Sequence, residues 1–146
     1  MKELIQKLRD LTGAGVIECK SALEDSRGDI EQAKLLIQER GLFKAEKKSE
    51  RSVNAGLLES YIHNNRVGVL LEIRCETDFV AKSDLFKELA HGIVMQVAAM
   101  NPQDIDALLL QPYIKDESLT VGAVIKTAVA KFGENIRIER FCRYAL

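Results

Sequence analysis

Residues 74–82 have the sequence RCETDFVAK and join a predicted strand to a predicted helix. Apolar β-branched and leucine side chains alternate with other residues immediately before this stretch, at positions 67, 69, 71 and 73. This alternation is typical of a half-buried strand. A long amphipathic helix is predicted to begin near Ser83. The stretch is therefore predicted to be a corner on a rigid support, and such corners often carry binding residues.

The corner places a carboxylate beside a large apolar ring, in Asp78 and Phe79. Two interpretations fit this pair. In the first, Phe79 is a core aromatic, and Asp78 is a turn or cap residue that accepts hydrogen bonds from local backbone N–H groups. In the second, Phe79 protrudes into a pocket of a partner protein, and Asp78 competes for that partner's metal or polar contacts. The pattern alone leaves both interpretations open.

The composition indicates a globular protein of modest size. The chain has 146 residues, enough for one ordinary domain or a small module plus a core. Hydrophobic residues make up 47% and charged residues 29%, as in soluble proteins. The net charge of −1 favours neither nucleic acid nor an anionic membrane, so we expect no partner of either kind.

The cysteines and the absence of targeting signals indicate a reducing cytoplasm. Cys19, Cys75 and Cys142 are far apart, odd in number and without Cys-x-x-Cys spacing. A disulfide framework or a structural zinc site is therefore not expected. No stretch is typical of a signal peptide, a transit peptide or a membrane span, and a cytoplasmic location is the expectation.

Three helices are predicted in the first forty residues. Residues 12–15, TGAG, interrupt the first apolar stripe and suit a tight turn, since a phosphate-binding loop would need a preceding strand and a Gly-Lys pair. Asp29 and Gln32 form a predicted capping box for the third helix, which is predicted to end at Gly41. Charges of both signs fill residues 44–51 and favour a solvated helical linker over a binding patch. We place the domain boundary there, giving domains 1–51 and 52–146.

The second domain is predicted to combine a hairpin, helices and a final strand. Residues 57–75 form the predicted hairpin, with Asn64 and Asn65 at its tip. Helices are predicted from Ser83 and from Thr120, and the strand over residues 135–144 needs a bulge near Arg140. The predicted fold class is α+β, with an N-terminal three-helix bundle followed by an α/β core of antiparallel sheet packed with helices.

Residues 77–82, TDFVAK, resemble the signature of the elongation factor Ts family. Further matches follow in the family's order along nearly the whole chain. They are Leu8-Arg9, residues 12–15, Cys19-Lys20, Ala22-Leu23, residues 28–31, residues 133–136 and Arg140-Phe141. The resemblance implies a first domain like a ubiquitin-associated bundle, which agrees with the three predicted helices.

The resemblance also implies a function. Members of this family are guanine-nucleotide exchange factors for elongation factor Tu. Their corner, here Thr77, Asp78, Phe79 and Val80, intrudes beside the partner's switch region, dislodges Mg²⁺ and lets GDP leave. The Mg²⁺ belongs to the partner, so no metal, no cofactor and no bond-making chemistry are expected in this chain.

Further partner contacts are implied in both domains. In the family, the first domain touches the G domain of elongation factor Tu, and this contact transfers to Arg9, Val16 and Ile17. Partial burial of Val16 and Ile17 in the small bundle fits the pattern equally well. His63 resembles a partner-contacting histidine of longer relatives, although an ordinary exposed turn residue also fits that position.

The chain departs from longer relatives, which carry two related core modules and a helical-hairpin insertion. It has one module, with little between Pro102 and Pro112. Short family members act as homodimers, so a two-fold dimer through the core sheet is expected. Cys142 on the last strand is compatible with a disulfide between subunits, although a reducing compartment favours a thiol. Two other classes stay open: an enzyme using Asp78 or Glu76 with His63, and a ubiquitin-associated-type binding module without exchange activity.

Overall fold

A computed structural model describes all 146 residues as helices and antiparallel strands with their connections, which confirms the α+β class. The helices are α1 (Lys2–Thr12), α2 (Val16–Asp25), α3 (Ile30–Lys48), α4 (Asp78–Ala81), α5 (Asp84–Met100), α6 (Ile105–Leu110) and α7 (Val121–Phe132). The strands are β1 (Ala55–His63), β2 (Val67–Cys75), β3 (Pro112–Tyr113), β4 (Asp116–Thr120) and β5 (Arg137–Ala145).

The first three helices enclose a small hydrophobic core. Its six buried residues are Leu8, Cys19, Ala22, Leu23, Ala33 and Ile37. Gly13 ends α1 with φ 70°, a left-handed conformation that favours glycine. The carboxylate of Asp29 accepts a hydrogen bond from the backbone N–H of Gln32, which confirms the predicted cap of α3. The reciprocal half of the capping box is absent, because the N–H of Asp29 donates to the carbonyl of Ser26.

The prediction that Gly41 ends α3 is wrong. The helix continues to Lys48, and its second half packs against α7. A Cβ added at Gly41 would lie 3.2 Å from the Cβ of Ala130, so this glycine allows two helices to approach closely. One turn later, Ala45 is buried in the larger core. Because α3 contributes to both cores, the boundary after residue 51 stays a prediction.

A three-stranded antiparallel sheet has the order β1-β2-β5. The predicted hairpin tip is confirmed, since Asn64 and Asn65 have φ values of 50° and 56°. In β5 the register shifts opposite the Glu72/Ile73 step: Glu72 faces Arg140, whereas Ile73 faces Ile138. The predicted bulge near Arg140 is therefore confirmed.

Helices cover one face of the sheet and form a core of 21 buried residues. The hydroxyl of Ser83 accepts a hydrogen bond from the N–H of Phe86 and caps α5, as predicted. Thr120 caps α7 through the N–H of Ala123, and Gly133 ends it with φ 71°. The helices include no segment with the length and apolarity needed to cross a bilayer.

The short strands β3 and β4 are fastened to α5 by a buried glutamine. The side chain of Gln96 is fully buried, its amide donates to Gln111 Oε1 and to the carbonyl of Pro112, and its carbonyl accepts from the N–H of Ile114. All of these partners lie in one segment, so Gln96 fixes the path of the chain between α6 and β4.

Candidate partner-binding site

The corner after β2 contains a single helical turn, α4, that the periodicity did not predict. Thr77 has extended backbone angles, and its hydroxyl accepts a hydrogen bond from the N–H of Val80. Thr77 is therefore the N-cap of α4, and the suggestion that Asp78 caps this turn is wrong. Asp78 is exposed in the first turn of the helix.

Phe79 differs in exposure from the two residues that follow it in α4. Val80 and Ala81 are 6% and 5% exposed and belong to the larger core, whereas Phe79 is 87% exposed. The interpretation of Phe79 as a core aromatic is wrong. Burial of Val80 and Ala81 fixes the turn to the core, so the phenylalanine ring is held in solvent by a well-packed base.

Residues from the loop after α7 support the corner, although no local pattern predicted a role for them. One carboxylate oxygen of Glu134 accepts hydrogen bonds from the backbone N–H groups of Glu76 and Thr77, over 3.1 and 3.0 Å. The other accepts from the hydroxyl of Thr77 over 2.7 Å. The only signal in the sequence was that residues 133–136 matched the family.

Asn135 continues this network toward the end of α3. Its backbone N–H donates to Glu76 Oε2 over 3.0 Å, and its side-chain amide donates to the carbonyls of Ser49 and Arg51. Arg51 also forms an ion pair of 3.7 Å with Glu76. Asn135 is 5% exposed, and both its backbone N–H and its side-chain NH2 group are used in these internal contacts.

The predicted contact residues of the first bundle lie around the turn between α1 and α2. Arg9 is exposed in the last turn of α1, and Val16 and Ile17 begin α2. Val16 is 51% and Ile17 86% exposed, so both lie at the surface, and the interpretation that they are partly buried in the bundle is wrong. Val16 and Ile17 present exposed apolar surface at the start of α2, and Arg9 is exposed near the end of α1. Arginine is enriched in protein interfaces.

His63 lies far from the corner, at the opposite end of the hairpin. It is exposed, and its Nδ1 is 2.8 Å from the hydroxyl of Tyr61, while its Nε2 is 3.3 Å from Asn64 Nδ2. In the sheet, Ala55 pairs with Cys75 and His63 pairs with Val67. Eight strand steps of about 3.4 Å separate these ends by roughly 27 Å. His63 is therefore too far from Asp78 and Glu76 to act with either of them in one chain, as the enzyme interpretation requires.

The three cysteines are free thiols, and they differ in burial. Burial raises the pKa of the Cys75 thiol, and the nearby carboxylate of Glu134 raises it further. Burial also raises the pKa of Cys19. Cys142 is exposed on β5. No group of three or more histidine, cysteine or acidic residues is placed to hold a metal ion.

The sheet face opposite the helices is exposed and largely apolar. It presents Leu58 and Ile62 from β1, Leu70 from β2, and Cys142 and Tyr144 from β5. Leu70 is directly opposite Cys142 in the register. An apolar surface on a three-stranded sheet is suited to cover by another protein.

The chain is similar in sequence to proteins that share one description, elongation factor Ts. A family model described as elongation factor Ts matches residues 76–146. The chloroplastic elongation factor Ts of Cyanidioschyzon merolae is 43% identical over 195 aligned positions, covering 100% of this chain and 93% of the relative. Elongation factor Ts of Coprothermobacter proteolyticus is 39% identical, covering 98% and 96%. The factor of Nostoc sp. is 45% identical, covering 99% of this chain and 46% of the relative.

This chain is shorter than its alignment with the Cyanidioschyzon relative. The alignment with the Cyanidioschyzon protein has 195 positions and this chain has 146 residues, so at least 49 positions have no counterpart here. The expectation that this chain lacks a segment of longer relatives is consistent with that difference.

Proposed function

Because the chain belongs to the elongation factor Ts family of translation elongation factors, we propose that it is a guanine-nucleotide exchange factor for elongation factor Tu. In this proposal it binds the GDP complex of elongation factor Tu, displaces Mg²⁺ and promotes GDP release so that GTP can bind. The observation that carries the proposal is the exposure of Phe79 on a corner whose next two residues, Val80 and Ala81, are buried in the core.

The energetics of exchange follow from linkage. An exchange factor binds the nucleotide-free partner more tightly than the nucleotide-bound one, and nucleotide and factor then weaken each other equally. Burying a phenylalanine ring contributes about 1.5–3 kcal/mol, and each 1.4 kcal/mol is about tenfold in affinity. Burial of Phe79 alone can therefore lower the partner's affinity for nucleotide by about a hundredfold at most.

Asp78 and the first bundle supply the rest of the proposed mechanism. Asp78 is exposed beside Phe79, so its carboxylate can reach the surroundings of the partner's Mg²⁺ when the ring inserts. The Mg²⁺ is a ligand of elongation factor Tu and not of this chain. Val16, Ile17 and Arg9 bind the G domain and hold the corner against the switch region. His63 makes a separate contact at the far end of the hairpin.

The second part of the proposal is a two-fold homodimer. Apolar residues on the open sheet face, among them Leu58, Leu70 and Tyr144, are the surface that a second copy covers. Two copies provide two sets of partner contacts, as two modules do in longer relatives. The proposed place of action is the cytoplasm, and one relative is named chloroplastic.

The test is the release of fluorescent GDP from purified elongation factor Tu, followed by stopped-flow with and without the chain. We expect the release rate to rise with chain concentration and then to saturate. A release rate equal to the spontaneous one at every concentration contradicts the proposal. Binding to ubiquitin-like proteins without faster release favours the alternative, a ubiquitin-associated-type module.

A further inference from the structure

The contact between Glu134 and the corner joins segments 57 residues apart in the sequence and involves three donors. The carboxylate accepts from two consecutive backbone N–H groups, those of Glu76 and Thr77, and from the hydroxyl of Thr77. Hydrogen bonds to a carboxylate are about twice as strong as bonds between neutral groups. Glu134 is half-buried, and its bond from the Glu76 N–H is partly shielded from water, whereas its two bonds from Thr77 are exposed.

The hydroxyl of Thr77 transmits this contact into α4. It donates its proton to Glu134 Oε2 and accepts from the N–H of Val80. Donation to Glu134 fixes the rotamer of Thr77, and the fixed rotamer directs an oxygen lone pair at the first turn of α4. The helix has four residues. A single helical turn is unstable alone, because nucleation fixes several dihedral angles for one hydrogen bond.

A second carboxylate completes the joint between the two loops. Glu76 Oε2 accepts from the N–H of Asn135, so each loop offers a carboxylate to the backbone of the other. Phe79 itself makes little contact with the rest of the chain, since it is 87% exposed. Its direction therefore depends on the backbone of residues 76–80, and this backbone is held from outside by Glu134.

We propose that Glu134 is the positioning residue for Phe79, and that its carboxylate holds α4 in the conformation that presents the ring to a partner. This inference rests on the proposed exchange function. Glu134 itself need not touch the partner. The role requires a negatively charged group whose two oxygens both reach the donors of Glu76 and Thr77, since three donors converge on it.

The main test compares Glu134→Gln with the wild-type chain and with Glu117→Gln, the same change at an exposed carboxylate on β4. The introduced amide has no charge, and one of its two polar groups can no longer accept a hydrogen bond. We expect the maximal rate of GDP release at saturating factor to fall about tenfold, equivalent to about 1.4 kcal/mol. The half-saturating concentration should change less than about twofold, because the first bundle is untouched. Glu117→Gln should match the wild type.

A double-variant cycle separates positioning from general stability. If Glu134 acts through Phe79, Glu134→Gln should cause no further loss of rate in the Phe79→Ala background. An added loss of similar size in that background overturns the proposal. Amide hydrogen exchange gives a readout independent of function. Residues 76–80 should exchange about tenfold faster in Glu134→Gln, while α5 and α7 keep their protection.

The outcomes distinguish this inference from the proposed function. If the wild-type chain does not accelerate GDP release, the exchange function fails, and hydrogen exchange alone still tests whether Glu134 orders the corner. If the wild type accelerates release and Glu134→Gln does so equally well, the positioning role is wrong. If Glu134→Gln loses hydrogen-exchange protection throughout the chain, the whole fold is destabilised, and Glu134→Asp is tested instead. This second variant keeps the charge on a shorter side chain. An unchanged rate in that variant also contradicts the role.

Discussion

The side-chain amide of Asn135 donates a hydrogen bond to the backbone carbonyl of Arg51, with an N···O distance of 2.7 Å. A second bond from the same amide reaches the carbonyl of Ser49 over 3.2 Å. The loop after α7 is thus joined to the segment after α3, although the two are 84 to 86 residues apart in the sequence. The loop that supports the Phe79 corner also holds the exit from the first bundle.

Replacing Asn135 should lower stability. Asn135→Ala removes two hydrogen bonds, each with a net contribution of about 1 kcal/mol, so the free energy of unfolding should fall by about 2 kcal/mol. Urea denaturation measures this change, and proteolysis near residues 49–53 should become faster. Asn54→Ala, at an exposed asparagine just beyond this segment, is the control and should be neutral. A loss below about 0.5 kcal/mol, the usual range of surface substitutions, contradicts the prediction.

Phe79→Ala should slow GDP release without affecting folding. The ring is exposed, so the free energy of unfolding should change by less than about 0.5 kcal/mol. Loss of its burial in the partner should reduce the release rate by about tenfold to hundredfold. Leu110→Ala, at another exposed apolar residue, is the matched control for stopped-flow release. Wild-type exchange by Phe79→Ala would remove the ring from the mechanism.

Val16→Asp should weaken the complex with elongation factor Tu. Val16 is the first residue of α2, where an acidic side chain interacts favourably with the helix dipole, so the bundle should stay folded. If Val16 lies in an apolar contact, the unpaired carboxylate should raise the dissociation constant of the complex at least about tenfold. Isothermal titration calorimetry measures this change. Leu35→Asp, at an exposed leucine of α3, is the control in the same bundle. Unchanged affinity of the Val16 variant excludes this contact.

Leu70→Asp should convert the proposed dimer to a monomer. Leu70 is exposed on the middle strand, so a charge there is at the centre of the proposed interface. Sedimentation velocity or light scattering measures the mass, and Leu85→Asp, at an exposed leucine of α5, should leave the dimer intact. A wild-type chain that is monomeric at micromolar concentration contradicts the dimer.

The buried thiols should make the fold sensitive to alkaline pH. The pKa of Cys75 is raised in the folded chain, mainly by burial, so the unfolded chain loses this proton first. The stability contributed by the neutral thiol is complete below about pH 8.5, the pKa of a free cysteine, and is lost as pH rises through the raised value. Urea midpoints measured from about pH 7 to about pH 10 should fall less in Cys75→Ala than in the wild type. Equal slopes for both chains contradict this assignment.

Local signals predicted most of the helices and strands. The caps at Asp29, Ser83 and Thr120 and the turn at residues 12–15 depend on residues within one turn, so the local sequence contains the whole cause. The hairpin tip at residues 64–65 is local in the same way.

Distant contacts explain what the sequence did not predict. Gly41 has the sequence context of a helix end, and its role depends on Ala130, which is remote in the chain. The helix α4 has one turn, too short for any periodicity to indicate it. The choice between a buried and an exposed Phe79 depended on this turn. Glu134 and Asn135 contact residues 57 to 86 positions away in the sequence, and only the folded chain brings these groups together.

The continuity of α3 past Gly41 restricts how this protein can change in length. Each residue added to a helix turns everything beyond it by roughly 100°. One residue inserted between 42 and 48 would therefore swing Val16 and Ile17 to a different side of the molecule relative to Phe79. Only insertions close to whole helical turns would keep both surfaces aimed at one partner, so evolution should preserve the spacing of this segment more strictly than its amino acids.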